Sequence, residues 1–198
     1  MPKVVNHEVQ RRQIALAACR ALARRGVDAT TLADIATEAK VTTGMITHYF
    51  KTKREIVAAA LRLVFQRTEQ RVLNRLDDGE DRLLSILEES LPLDAARRRE
   101  SAVWVSFWGR VTTDRTLARV NRAVHDDAVE LYAKVIRLCW PESTQWSASL
   151  FDAVHASLLN FLNGLTASAV TSPQSWPPAR QREALEMHIQ LLRQFTIR

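Results

Sequence analysis

Two cysteines, five glycines and no apolar run long enough to cross a bilayer set the first limits on this sequence. A membrane span needs about 20 apolar residues, and the most apolar stretches, such as "IALAACRALA", are interrupted by arginine well short of that. The opening "MPKVVNHEVQRRQ" has no apolar segment followed by a small-residue cleavage site, so no leader is expected. Cys19 and Cys139 are too few and too far apart for a disulfide framework or a metal cluster. Both sit among apolar residues at helical spacing and are expected to be buried thiols in a reducing cytoplasm. Scarce glycine and proline, with no alternating Val/Ile/Thr run, argue against a sheet and for helices joined by short loops.

Catalytic equipment is also thin. An all-helical hydrolase or di-metal bundle needs converging groups, such as paired Glu-x-x-His ligands or a Ser/His/Asp set. Neither a Glu-x-x-His pair nor a glycine-rich phosphate loop occurs, and the five histidines are scattered. An enzyme is therefore the disfavoured class, and no cofactor or metal is expected.

What is present is charge of one sign in one place. The chain of 198 residues carries a net charge of +6, and residues 1–60 hold ten Lys/Arg against five Asp/Glu. The remaining residues are close to neutral, with 18 against 17. A localised positive field attracts polyanions and speeds encounter with them, although a solvated basic face would give the same count.

Periodicity places a helix over 7–25, where Ile14, Ala17, Ala18, Ala21 and Leu22 mark one buried face and Gly26 stops it. A second helix starts after Thr31, with "TLAD" supplying a capping box. A third runs from Thr42 or Thr43 to about Tyr49, and "TKRE" opens a long fourth to about Leu76. After the composition break "DDGED", helices are expected near 81–91, 97–109, 114–139, 143–170 and 178–195. The layout is all-α: a three-helix head over 1–52, then a helical body over 53–198 whose first helix, 53–76, connects the two.

The second and third helices are short and joined by a tight turn. Ile35, Ala36, Ala39, Val41, Ile46 and Tyr49 supply a small apolar wedge between them, which is helix-turn-helix spacing with the later helix offered to a DNA major groove. Thr42, Thr43, Gly44 and Thr47 give that helix a polar, close-approaching face. Helix starts near Thr31, Thr43 and Thr52 present free N–H groups for phosphate, beside His48, Tyr49, Lys51 and Lys53. Double-stranded DNA is the expected partner.

The stretch "TTLADIATEAKVTTGMITHYFKTKREIVAAAL" resembles the DNA-binding head of the TetR family of bacterial transcriptional repressors. The resemblance rests on the threonine before the second helix, "DIA", the Val-Thr-Thr-Gly start of the recognition helix, "HYF" and Lys-x-Lys, and it spans residues 10–61. "GMITHYF" and, more weakly, "WVSFWGRVTTDRTLARVNR" from Trp104 to Arg122 resemble the BetI-like subgroup. The resemblance implies a cytoplasmic, nucleoid-associated homodimer that binds a palindromic operator and is released by a small-molecule effector. It implies bases facing Thr42, Thr43, Met45 and Thr47, and phosphates on Thr31, His48, Tyr49 and Lys53. One departure is Lys40, where the family usually has a turn glycine. A left-handed lysine there costs roughly 1 kcal/mol, which a phosphate contact by its ammonium would offset.

In the body, all five tryptophans follow residue 100. Trp104 and Trp108 stand four apart with Phe107 between them, and together with Asp126 and His155 they are candidates for a ligand pocket. Ordinary core packing explains such aromatics equally. Leu150, Val154, Leu158, Phe161 and Leu165, with Leu185, Ile189 and Leu192, form stripes on the last two helices that are expected at the dimer interface, although an internal core would use the same pattern. The expected function is a homodimeric, effector-released repressor. The alternative is an operator-binding protein of the same fold without a sensor.

Overall fold

A computed structural model describes residues 7–76 and 82–196, the side chain of Arg82 excepted. The "DDGED" break at 77–81 lies outside the described residues. Nine α-helices follow one another along the described chain, and no strand occurs among these residues.

α1 (His7–Ala29) buries the expected face: Ile14, Ala17, Ala18, Ala21 and Leu22 are all inaccessible to solvent. Gly26 interrupts it with φ 73° and ψ 172°, a backbone state open to glycine, so the regular helix ends where the sequence placed its stop. α2 (Leu32–Ala39) starts from a complete capping box. The Thr31 hydroxyl accepts from the Asp34 amide at 3.1 Å, and the Asp34 carboxylate accepts from the Thr31 amide at 2.8 Å. α3 (Thr43–Tyr49) is capped by Thr42, whose hydroxyl accepts from the Met45 amide at 3.2 Å. α4 (Lys53–Arg75) begins with the Glu55 amide donating to Thr52 and the Glu55 carboxylate accepting from the Lys51 amide.

α5 (Arg82–Glu88), α6 (Ala95–Val111) and α7 (Arg115–Cys139) follow. The next expected helix begins later than its apolar pattern indicated. Pro141 instead opens a 3-10 turn over Pro141–Gln145, and Ser147 caps α8 (Ala148–Thr171) by accepting from the Leu150 amide at 3.2 Å. Proline at the first position fits a tight turn but does not decide between turn types. α9 (Pro178–Thr196) completes the chain.

The helices pack into two compact units that do not follow chain order. One comprises Met1–Arg67 with Ala102–Val124, the other Thr68–Ser101 with His125–Arg198. In the first, Ile14, Leu22, Ile35, Ile46, Phe50 and Ile56 share one core with Val103, Phe107 and Leu117 from the α6–α7 region. In the second, α8 packs against α9, and the carboxylate of buried Glu100 is paired with Arg71 at 2.9 Å. A buried carboxylate needs such a partner to offset the loss of its hydration.

Neither cysteine forms a disulfide, and both are half-buried, less enclosed than the sequence suggested; Cys19 Sγ donates to the Ala60 carbonyl at 3.5 Å.

Candidate nucleic-acid interface

α2 and α3 meet through Ile35, Ala36 and Ile46, all buried, with Val41 and Tyr49 packed at the edge of the same core. The turn between the two helices is a Schellman motif. The Val41 amide donates to the Ala36 carbonyl at 3.0 Å and the Lys40 amide to the Thr37 carbonyl at 3.2 Å. This closure requires a left-handed residue, and Lys40 has φ 56° and ψ 43°. The lysine therefore adopts the conformation its glycine counterpart adopts readily, and its side chain stays exposed.

With α3 held this way, Ile46 and Phe50 point inward while Thr42, Thr43, Gly44, Thr47 and His48 are exposed and Met45 is half-exposed. Two of these threonines are already engaged: Thr42 caps the helix, and the Thr47 hydroxyl donates to the Gly44 carbonyl at 3.0 Å. Thr43 makes no competing cap bond in this arrangement. A Cβ built at Gly44 meets nothing closer than the Thr42 hydroxyl at 3.8 Å, so glycine here is not demanded by protein packing.

The side chains expected to meet phosphate differ in exposure and in partners. Lys51 is exposed, and Lys53 is half-buried with Nζ donating to the Asp28 carbonyl at 3.1 Å. Tyr49 lies between two histidines, its ring 4.8 Å from His7 and 5.0 Å from His48. Thr31 is exposed at the start of α2, where its hydroxyl is bound to Asp34. That bonding, first through the Thr31 amide, holds the Asp34 carboxyl below its ordinary range.

Several contributors were not visible in the spacing. Arg11 donates to the Tyr49 carbonyl and lies over the Phe50 ring at 4.1 Å, so α1 fixes the end of α3. Much of the basic excess is also neutralised internally. Arg20 and Arg24 bind Glu38, Arg25 sits 3.5 Å from Asp34, and Arg54 sits 2.6 Å from Asp114. A charge count finds the field but cannot assign each cation its partner.

Of the body candidates, Phe107 is wholly buried in the core of the first unit, and Trp104 and Trp108 pack against that core half-buried. Trp104 meets Phe107 edge-on at 6.3 Å. Asp126 and His155 belong to the second unit, Asp126 exposed and His155 buried. Burial lowers the His155 pKa, a hydrogen bond with the Val129 backbone opposes this, and Nε2 has no protein partner. Among the stripe residues, Val154, Leu158, Leu165, Leu185, Ile189 and Leu192 are buried within one chain, while Leu150 and Phe161 are half-buried. Those six face the chain's own core. The large apolar side chains that α9 leaves to solvent are Met187, Leu191 and Phe195, one turn apart. Phe161 stacks on His188, centroids 4.0 Å apart.

Among the described residues no helix is long and apolar enough to cross a membrane, and no cluster of metal-ligating side chains forms.

Comparison with known proteins matches two segments of the chain. Residues 14–60 match the family "Bacterial regulatory proteins, tetR family", and residues 79–194 match "BetI-type transcriptional repressor, C-terminal". The regulator BetI of Burkholderia cenocepacia is 29% identical over 164 residues, covering 78% of this chain and 84% of that protein. PksA of Bacillus subtilis is 35% identical over 114 residues, a match that spans about half of each chain, 54%. A transcriptional regulator from Rhodococcus sp. RHA1 superposes with a TM-score of 0.80 at 27% identity, covering 93% of this chain and 96% of that one. A regulator from Saccharomonospora viridis, solved with choline, shares the fold at 24% identity and a TM-score of 0.79 over 92% and 96% of the two chains. The chain belongs to the TetR family of transcriptional regulators, with a BetI-type C-terminal region.

Proposed function

We propose that the chain acts as a homodimeric repressor that grips a palindromic operator through two copies of α3 and lets go when a small molecule enters the body. The observation that carries the proposal is the capped seven-residue helix Thr43–Tyr49, which turns exposed Thr43, Gly44 and Thr47 outward while Ile46 anchors it. Short polar side chains and a bare backbone suit close approach to base edges, and Lys40, His48, Lys51 and Lys53 suit the flanking phosphates. Thr42 and Met45 complete the base-facing set, and Thr31 and Tyr49 the phosphate-facing one.

Two recognition helices must lie about 34–36 Å apart to enter successive major grooves, which calls for a twofold partner. The exposed apolar line of Met187, Leu191 and Phe195 supports α9 as part of that contact. The half-buried indoles of Trp104 and Trp108 leave ring surface for an effector.

The test is fluorescence-monitored binding to the DNA upstream of the chain's own gene, scanned for an inverted repeat. Tight binding to such a repeat, with release by a metabolite that also quenches tryptophan, supports the full proposal. Tight binding that no metabolite reverses supports an operator-binding protein without a sensor. No affinity for any duplex at low ionic strength refutes both.

A further inference from the structure

The first turn of α4 carries Lys53 and Arg54, two cations that a charge count would assign alike to DNA phosphates. Their surroundings differ. Arg54 reaches Asp114, in the turn between α6 and α7, with Nε 2.6 Å from Oδ2. The other oxygen, Oδ1, caps α7 by accepting from the Thr116 amide at 2.9 Å and the Leu117 amide at 3.2 Å. Lys53 donates to the Asp28 carbonyl at 3.1 Å, while the Asp28 carboxylate is paired with Arg110 at the end of α6. The α6–α7 corner thus holds α4's first turn twice, through Arg54 directly and through Asp28 to Lys53.

Beneath these pairs, Val103, Phe107 and Leu117 are buried in the same core as Ile46 and Phe50 of the α3 region and Ile56 of α4. A Cβ at Gly26, in the α1 bend, would lie 3.9 Å from the Ser106 side chain, so the corner also lies against the segment leading into α2.

We propose that Arg54, Asp114, Arg110 and Asp28 are positioning residues for DNA binding: an ion-pair clip that aims the Lys53 turn, in which Arg54 is not itself a phosphate contact. The inference rests on the head being the DNA-binding face. Arg54 and Asp28 are 67% and 69% open to solvent, against 48% for Arg110 and 16% for Asp114, so water still screens one end of each pair and each supplies a modest bias and not the fold's stability.

The experiment measures binding of the full chain to a mixed-sequence duplex of about 30 base pairs, over a range of salt. Asp114→Asn keeps the capping oxygen but replaces the oxygen that accepts from Arg54 with a donor. Arg54→Gln alters only an exposed side chain. Each should weaken binding by roughly 2- to 5-fold with the salt slope of the unaltered chain. The double variant should be no weaker than either single change. Reversal of the second pair, Asp28→Arg with Arg110→Asp, should recover the affinity that each single reversal loses, which a merely structural defect would not do.

The proposal is overturned if Arg54→Gln flattens the slope by about 0.9, the signature of one lost phosphate, while Asp114→Asn changes nothing. It is equally overturned if the reversed pair binds as weakly as its single members. Failure of the unaltered chain to bind the duplex at low salt would instead remove the DNA-binding reading on which the inference rests.

Discussion

The amide of Val41 reaches the carbonyl of Ala36 at 3.0 Å, and the intervening Lys40 stands at φ 56° to let it do so. A left-handed conformation costs a side-chain-bearing residue about 1–2 kcal/mol, while glycine's unfolded-state entropy takes back about 0.5–1 kcal/mol. Lys40→Gly should therefore stabilise the chain by about 0.5–1 kcal/mol in thermal or urea unfolding. The same change should weaken DNA binding on every sequence and lower the salt slope by about 0.9. Unchanged DNA binding would mean that Lys40 touches no phosphate.

The exposed groups around α3 divide into two kinds. Lys51→Gln should lower affinity evenly across sequences and flatten its dependence on salt. Thr43→Val and Thr47→Val should instead shift base preference, costing about 1–3 kcal/mol of discrimination at an affected position. Competition binding against a library of duplexes distinguishes the two outcomes. Identical behaviour of the threonine and lysine variants would mean that α3 does not face the bases.

Exposure on α9 separates assembly from folding. Met187→Glu and Leu191→Glu place charge on side chains that are 63% and 57% exposed. They should yield folded monomers by light scattering, with helical circular dichroism retained. Leu185→Ala removes a side chain with no exposed surface and should cost about 2–5 kcal/mol of stability. Persistence of the dimer in both glutamate variants would exclude this face.

Two histidines of the second unit make stability depend on pH. Burial lowers the pKa of His155 and of His188 from the ordinary value near 6.5, because the imidazolium is poorly solvated there. The unfolded chain then binds protons more readily than the folded one. The stabilisation is present above pH 6.5 and is lost as pH falls from there through the lower folded values. The melting temperature should be lower at pH 5.5 than at pH 7.5, and the difference should shrink in His155→Gln with His188→Gln. Asp34, Asp94 and Asp114, whose pKa values are lowered mainly by backbone hydrogen bonds, act at more acidic pH, below about 4.

Helix starts were the most legible part of the sequence, because a capping threonine or serine and its acceptor geometry are local: Thr31, Thr42 and Thr52 each sit where the pattern put them. The start of α8 was placed five residues early, because Ser143 and Ser147 both carry a hydroxyl able to cap a helix; Pro141–Gln145 form a 3-10 turn, and Ser147 is the cap. Long-range partners were not legible. Arg11 with Phe50, and Phe107 with the head core, are separated by tens of residues that no periodicity links. The stripe of Leu158, Leu185 and Ile189 was read as a dimer face, yet these side chains are buried within one chain, because periodicity cannot say whether an apolar face meets its own chain or another.

The burial of Phe107 bears on how such proteins can be recombined. A hybrid joining residues 1–67 to a foreign body would lose a ring that is buried in the same core as Ile14, Ile46 and Phe50, unless the donor body brought an aromatic of equal size to that core. The exchangeable cassette is therefore discontinuous, and a working transplant must carry residues 102–124 along with the reading head.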